Sequence, residues 1–552
     1  MRSIRSGWWA AMALLAVTMP MAPAVAQEPQ APSVFGEQID VRVVNVEAVV
    51  TDRQGNRVQG LRPEDFRLKV DGKTVPVEYF NEVRGGQAIA LAGGGGESEV
   101  KGLPSLAPGS PVGTSYLVFV DDFFALGPRR NVVLHSLKEQ LSRLGPEDRM
   151  AIVAYDGGGV EMLSSWSNSS EQLGRAIERA VGRPAKGLAR RAELQSFESL
   201  RRLGGDPVSR GPRSSFAQRL DVEEEDFVYF VASQVERAVV AATSTMRGFA
   251  SPPGRKVMLL LSGGWPYSPA DYVVNNPNRP ILARDLPRGE EIFRPLVDTA
   301  NRLGYTIYTV DVPGVESSVV DASLAGPPRG GFNIREQENQ AALEFIATQT
   351  GGEALLNARS EDALQTAESD TRSYYWLGFT PTWQGNDKRH KVEVELTRPG
   401  LRVRSRENFL DLSRKAETAM MVESAMIFGG APDQASLPMK VGQVVLTGKR
   451  EMEVPISLAI PAEAVTLVPL NGKQVAEVEL RVAALDVRGG RAPMPVVPVT
   501  LSADEAPQPG TFIRYDTRIR LRRMPHTLTV AIFDPLSGKL LTARADVAPP
   551  VK

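Results

Sequence analysis

Two adjacent aspartates follow a strongly apolar run and are the residues best placed to do chemistry. The run is Ser115–Val120, and the aspartates are Asp121 and Asp122. Carboxylate oxygens are the hard ligands that Mg²⁺ and Ca²⁺ prefer, so a metal site is the first chemistry to consider. Aromatic side chains come next, at Phe123 and Phe124. Two carboxylates are too few for a tight site, so we predict no metal or other cofactor, with Asp121 and Asp122 as the only candidate ligands.

Residues for catalysis are not evident elsewhere. The chain has no cysteine, and its three histidines, His135, His390 and His526, are far apart in sequence. Neither G-x-S-x-G nor G-x-x-x-x-G-K-[ST] occurs. The members of a Ser-His-Asp triad converge only in space, so the sequence leaves a triad open. We predict a protein without enzymatic activity.

The first 26 residues have the features of a cleavable signal peptide. Arg2 and Arg5 precede a short apolar run, and Ala24-Val25-Ala26 matches the small residues at which signal peptidase cleaves. The apolar run has about ten residues, whereas a membrane-spanning helix needs about 20. We therefore predict an exported mature chain that begins near Gln27. It would lie in the periplasm or outside the cell, without a transmembrane anchor.

The charge balance argues against polyanionic partners. The chain of 552 residues carries 64 Lys and Arg against 65 Asp and Glu, which gives a net charge of −1. Such a balance gives no reason to expect nucleic acid or an anionic membrane as a partner. Because disulfides are impossible, the fold must be held by buried cores, and the length allows about three or four of them.

Apolar runs alternate with helical patterns through the middle of the chain. Such runs lack the polar alternation of half-exposed strands and are typical of buried parallel strands. They are Ser115–Val120, Met150–Tyr155, Val257–Leu261 and Tyr305–Val310. Helical spacing occurs over 128–144, 169–181, 222–248, 291–303 and 337–350. The pattern predicts an α/β domain with a doubly wound, mainly parallel, Rossmann-like sheet over 113–409, with surface insertions near 183–220 and 312–334.

Segments rich in β-patterns flank this domain. Alternating residues and turn signals predict a small β-domain over 38–84, followed by a Gly- and Pro-rich linker over 85–112. After a connector over 410–440, short strands recur at regular spacing over 441–548. That spacing predicts a C-terminal β-sandwich.

Several motifs occur in an order that resembles a known family. They are the Asp-Asp that follows Ser115–Val120, the segment from Thr51 to Gly72 with its Asp65-Phe66 and Asp71-Gly72 pairs, the segment Tyr374–Phe379, and the segment from His390 to Arg406. Over residues 38–409 the chain resembles the von Willebrand factor A (vWA)-related exported proteins typical of Acidobacteria. The resemblance implies a vWA fold for the middle domain.

The resemblance also implies where a metal would bind, and the chain departs from that pattern. A vWA metal site uses Asp-x-Ser-x-Ser, a later threonine and a later aspartate. If Asp121 is the first aspartate, Phe123 and Ala125 stand at the serine positions, and a start at Asp122 also provides no hydroxyl. Ser262-Gly263 stands where a later Asp-Gly is expected. We therefore expect a degenerate metal site.

Aromatic residues gather at the same edge of the predicted sheet. If they are exposed, they would form a contact surface that needs no metal. If they point inward, they belong to the core, and the sequence supports both alternatives. The candidate binding residues are Asp121, Asp122, Phe123, Phe124, Ser262, Trp265 and Tyr267.

These features predict an exported, non-catalytic protein that binds or scaffolds a protein partner outside the cytoplasm. One alternative is a metal-dependent adhesion protein that uses Asp121 and Asp122 with further ligands. A second alternative is a hydrolase of envelope polymers.

Overall fold

The computed structural model describes most of the chain after residue 42. The described ranges are 43–89, 109–203, 215–250, 254–274, 288–312, 334–413, 415–416, 418–419, 437–448, 450–470, 472–486, 496–504, 508 and 510–550, without the side chains of 201–222, 358, 485 and 486. The predicted signal peptide, most of the linker, nearly all of the insertion at 312–334 and most of the connector lie outside these ranges.

The first part of the described chain is made of short strands. They are β1 (Val44–Thr51), β2 (Phe66–Val70), β3 (Lys73–Val75), β4 (Tyr79–Arg84) and β5 (Gln87–Ile89). Strands and helices alternate in the next part, which contains β6 (Thr114–Asp121), α1 (Gly127–Glu139), β7 (Arg149–Tyr155), β8 (Val160–Ser167), α2 (Ser170–Val181), α3 (Gly187–Leu203), α4 (Ser215–Gly248), β9 (Arg255–Ser262), α5 (Pro269–Val274), α6 (Gly289–Leu303), β10 (Tyr305–Asp311), α7 (Ile334–Gln349), β11 (Ala354–Leu355) and α8 (Ala363–Thr371).

Strands again dominate the last part. Four of them follow α8 directly: β12 (Ser373–Phe379), β13 (Lys388–Leu396), β14 (Arg402–Arg404) and β15 (Asn408–Asp411). The others are β16 (Met439–Val441), β17 (Val445–Leu446), β18 (Glu451–Pro461), β19 (Val468–Leu470), β20 (Lys473–Asp486), β21 (Val496–Ala503), β22 (Phe512–Arg522), β23 (His526–Phe533) and β24 (Leu540–Val547). Within the described residues, no helix is long and apolar enough to cross a membrane.

The predicted mixture of helices with a mainly parallel sheet is confirmed. Six strands pair in the order β11-β10-β9-β6-β7-β8. All neighbours are parallel except β8, which runs antiparallel to β7 at one edge. Alternate residues of β6 pack on opposite faces, Val118 against α1 and α2, and Phe119 against α4 and α6. Because helices cover both faces, β6 is buried throughout and has no polar alternation.

The strands after α8 do not join that sheet. The sequence placed Tyr374–Phe379 and the segment to residue 409 in the α/β domain. In the structure, β12 lies between β1 and β4 and is antiparallel to both. The five-stranded sheet β14-β1-β12-β4-β5 and the four-stranded sheet β15-β13-β2-β3 share one hydrophobic core. The α/β part is therefore inserted between β5 and β12 of a β-unit that both flanks of the chain build.

The segment 183–220, which the sequence predicted as a surface insertion, is largely helical. It contains α3 and the start of α4. Leu194 of α3 is buried, and the ring of Phe197 stacks on that of Phe227 of α4 at a centroid distance of 4.3 Å. The two helices therefore pack on each other.

The C-terminal strands form two antiparallel sheets. One joins β16, β17 and β22 to β18, and the other follows the order β19-β20-β23-β24 with β21 on β20. Alternate residues of β18, such as Val454 and Ile456, are buried together with Val478 of β20 and Val530 of β23. Both sheets thus contribute to one core.

Buried charges join the parallel sheet to the β-unit. Arg255, at the start of β9, pairs with Glu47 of β1 at 2.6 Å, and their side chains are 1% and 6% exposed. The Arg255 guanidinium also lies over the ring of Tyr374, 4.1 Å from its centroid. Thr306 donates a hydrogen bond of 3.1 Å to the same Glu47 carboxylate. These contacts fix β1 and β12 against the amino ends of β9 and β10.

The neighbouring Lys256 is buried, and we predict from its pKa that the free energy of unfolding rises with pH. Burial lowers the pKa of Lys256 from 10.5 to about 8, although Glu47 opposes the shift. Between these values the unfolded chain holds a proton at Lys256 that the folded chain has lost, so raising the pH favours the folded state. We expect the free energy of urea unfolding to rise more steeply with pH over this window in the wild type than in Lys256→Met. Equal slopes in the two proteins would contradict the prediction.

Candidate functional site

The carboxyl ends of β6 and β9 bring the predicted site residues together. Asp121 ends β6 and Ser262 ends β9, and the register pairs Val120 with Leu261 immediately before them. Asp311, the last residue of β10, lies opposite Ser262 on the other side. Because these strands are parallel, their carboxyl ends share one edge, which is where open α/β sheets bind ligands.

Both oxygens of the Asp121 carboxylate are occupied by protein donors. Oδ2 accepts hydrogen bonds from the Ser262 hydroxyl at 2.9 Å and from the Trp265 indole nitrogen at 2.8 Å. Oδ1 accepts from the backbone amides of Phe123 at 3.1 Å and Phe124 at 3.3 Å. The side chain has no solvent exposure. Asp121 therefore holds the loops after β6 and β9 together.

Burial and hydrogen bonding act in opposite directions on Asp121. Burial raises the pKa of Asp121 to about 6, and the hydrogen bonds from Trp265 and Ser262 work against that rise. At neutral pH the group is therefore a carboxylate, and hydrogen bonds to a charged acceptor are stronger than neutral ones. The four donors supply the positive field that a bound cation would supply elsewhere.

Asp122 faces a different set of partners. Its carboxylate forms ion pairs with Arg130 of α1 and with Arg183, whose Nε lies 2.6 Å from Oδ2. Arg130 also donates to the carbonyls of Val181 at 3.1 Å and Arg183 at 2.9 Å. The Asp122 carbonyl accepts from the amide of Lys186 at 2.8 Å. Asp122 thus fixes the segment between α2 and α3.

The aromatic residues of this edge point mostly inward. Phe123 and Phe124 are 7% and 8% exposed and meet edge to face at 4.9 Å. Trp265 is fully buried and stacks on Phe293 of α6 at 6.0 Å. Tyr267 is half-buried. Of the two alternatives that the sequence left open, packing in the core is the one that these positions favour.

Close packing of the loops leaves little space at this edge. Gly157 has a φ of +88°, and a Cβ atom there would lie 2.1 Å from the Phe123 ring. A Cβ atom at Gly263 would lie 2.5 Å from the carbonyl oxygen of Phe124. The cavity beside these loops is lined by residues that include Arg190 of α3 and Gln234 of α4, and it has a volume of about 30 Å³. That space holds about one water molecule.

The arrangement does not fit a Mg²⁺ site of the vWA kind. Mg²⁺ requires near-octahedral oxygen ligation, and the two Asp121 oxygens already accept four hydrogen bonds. Asp122 is neutralised by two guanidinium groups. In the described part of the chain, no group of three or more His, Asp or Glu side chains is placed to hold a metal ion.

The histidines lie apart from this edge. His390 Nδ1 contacts the Asp71 carboxylate at 2.8 Å, and His526 Nδ1 contacts the carbonyl of Met524 at 2.8 Å. His135 lies in α1. The hydrogen bonds of the described residues join no histidine to a serine, and the absence of catalysis stays a prediction.

The sequence did not predict which residues bind the two aspartate carboxylates. Trp265 was expected at this edge as a possible contact residue and not as a donor to Asp121. The pairing of Arg130 with Asp122 had a weak signal, because Arg130 lies in the first turns of the helix that follows. Arg183 had none, since it arrives from a loop 61 residues further along the chain.

Comparisons with known proteins add little. No protein-family model and no curated protein matches the sequence. A structural-genomics target shares 13% identity over 21% of this chain and 89% of its own, with a TM-score of 0.15. The ApaA protein from Bordetella pertussis shares 10% identity over 22% of this chain and 99% of its own, also with a TM-score of 0.15. The pilus adhesin SpaC from Lactobacillus rhamnosus GG shares 8% identity over 78% of this chain and 56% of its own, with a TM-score of 0.26. TM-scores this low support no argument on fold or function.

Proposed function

We propose that this chain is an exported, non-catalytic protein that binds or scaffolds a protein partner outside the cytoplasm through a metal-independent, vWA-like architecture. The observation that carries the proposal is the pair of hydrogen bonds from Trp265 and Ser262 to Asp121. They use the carboxylate that a vWA metal site would need. A protein built in this way binds its partner without a bridging cation.

The sheet order supports the vWA-like assignment. Numbered from β6, the strands run 3-2-1-4-5-6 from β8 to β11, with the third strand antiparallel. Doubly wound α/β folds share this order. The two C-terminal sheets with a common core support a β-sandwich at the end of the chain. Fold by itself does not establish function, so the proposal depends on the site.

Calorimetry of the mature protein with Mg²⁺, Ca²⁺ and Mn²⁺ tests the proposal. We expect no binding at micromolar concentrations of any of the three cations, because both Asp121 oxygens hold protein donors. The matched variant is Asp121→Ala, for which we expect the same flat titration. Micromolar binding by the wild type that is lost in Asp121→Ala would contradict the proposal and favour a metal-dependent adhesion protein.

A further inference from the structure

A groove separates two consecutive strands of the β-unit. It lies between β13 and β14, has a volume of about 400 Å³ and is open to solvent. Its lining includes Val394, Glu395, Val403, Ser405 and Glu407. We call it the β13–β14 groove. Volumes of this size are typical of ligand sites.

Strand β13 presents unpaired backbone groups to this groove. The amide of Asp71 donates to the carbonyl of Lys391 at 3.0 Å, so odd-numbered residues of β13 bond to β2. In an antiparallel pair, the backbone groups of alternate residues point to opposite edges, so those of the even-numbered residues of β13 point away from β2. The amide of Val392 does so and donates to Glu407 at 2.8 Å. Val394 and Leu396 point the same way, and their backbone groups have no partner strand among the described residues.

Strand β14 forms the opposite wall. It is the edge strand of its sheet and pairs only with β1, where Val403 lies opposite Val50. The carbonyl of Val50 accepts from the amide of Val58 at 3.0 Å and therefore points away from β14. The β14 residues that bond to β1 are thus Arg402 and Arg404. Val403 directs its backbone groups into the groove.

The charges along the groove favour a basic occupant. Lys391 is paired with Glu393, and Arg404 with Glu353 and Asp370. Glu407 accepts from the Gln349 side-chain amide and has no salt-bridge partner in the described part of the chain. A cationic side chain near Glu407 would supply that partner.

We propose that the β13–β14 groove binds an extended peptide segment of a partner protein, added as a β-strand, with a lysine or arginine near Glu407. Unpaired strand edges bind extended peptides through main-chain hydrogen bonds. Both edges border the groove, and an added strand would bond to one of them. The site is separate from the Asp121 edge, and its test leaves the metal titration unaffected.

Two synthetic peptides test the proposal by fluorescence anisotropy with the mature protein. Each peptide has about ten residues, which is a common strand length, and alternates valine with threonine. One peptide carries a lysine at its amino end, and the other carries a lysine at its carboxyl end. A control peptide carries N-methyl groups on alternate backbone amides and cannot form the ladder. We expect the better lysine peptide to bind and its N-methylated form to bind at least about tenfold more weakly, a difference of ~1.4 kcal/mol.

A unique thiol locates the binding. The chain has no cysteine, so Ser405→Cys can be labelled with a bulky maleimide inside the groove. Ser199→Cys, labelled on the exposed face of α3, is the matched control. We expect labelled Ser405→Cys to lose at least about tenfold in affinity, while the unlabelled variant and the labelled control bind like the wild type. Glu407→Gln should also weaken the binding of the better lysine peptide.

Three results would overturn the proposal. They are absence of binding by both peptides, equal binding of the N-methylated form, and undiminished binding by labelled Ser405→Cys. If no peptide binds and labelling of Ser405→Cys instead changes the oligomeric state of the protein in solution, the groove is an interface between copies of this chain. The proposal is then wrong.

Discussion

Replacement of Asp370 by alanine is expected to lower the free energy of unfolding by about 3 kcal/mol, the lower end for a broken buried ion pair, because Arg57 loses its counter-charge while Arg404 keeps Glu353. The Asp370 side chain has no solvent exposure and forms ion pairs with Arg57 and Arg404. Its second oxygen accepts from the Tyr308 hydroxyl at 2.5 Å. Asp370 therefore joins α8, β10 and the β-unit at one point.

Urea unfolding followed by tryptophan fluorescence measures the effect. The matched control is Asp362→Ala on the preceding turn, an exposed aspartate whose side chain does not cap α8. We expect the control to change stability by no more than about 0.5 kcal/mol. Asp370→Asn keeps the shape and loses the charge, so it should fall between alanine and the wild type. Similar stability of Asp370→Ala and Asp362→Ala would show that the buried network contributes nothing.

The second large effect on stability concerns the Trp265 indole, which donates a hydrogen bond to Asp121. We expect Trp265→Ala to cost about 3–5 kcal/mol, since it removes a fully buried ring that stacks on Phe293. Trp265→Phe keeps an aromatic ring there and removes the indole donor. It should cost about 1–3 kcal/mol, because a buried carboxylate loses a hydrogen bond.

Trp376→Phe is the control for the indole nitrogen. Trp376 is also buried, and its Nε1 has no hydrogen-bond partner among the described residues. Urea unfolding should therefore show a smaller loss for Trp376→Phe than for Trp265→Phe. In a double-mutant cycle, Asp121→Asn should reduce the effect of Trp265→Phe. Equal losses in the two phenylalanine variants would mean that the bond to Asp121 adds no stability.

The buried parallel strands could be predicted because their cause is local. A strand covered on both faces must be apolar throughout, so the runs at β6, β7, β9 and β10 are visible in the sequence. The ends of these strands also predicted that Asp121 and Ser262 would meet. The edge strand β8 was missed, since only Leu163 among its residues is buried and half of its residues are polar.

Long-range pairing and loop conformation could not be predicted in this way. Strand β12 is apolar enough to belong to either sheet, and only its pairing with β1, more than 300 residues away, decides the matter. Similarly, Trp265 reaches Asp121 because of the turn through Gly263 and Gly264, which no periodicity reports. The sequence indicated which residues gather at the edge and not how their side chains are used.

Metal-independent binding requires that the Trp265 indole, and not a cation, holds the Asp121 carboxylate. The most direct measurement is the amide-type ¹H–¹⁵N resonance of the Trp265 indole, assigned by its disappearance in Trp265→Phe. We predict that excess Mg²⁺ leaves its position unchanged and that Mn²⁺ broadens it no more than the Trp376 indole. Selective broadening of the Trp265 resonance by Mn²⁺, abolished in Asp121→Asn, would contradict the account.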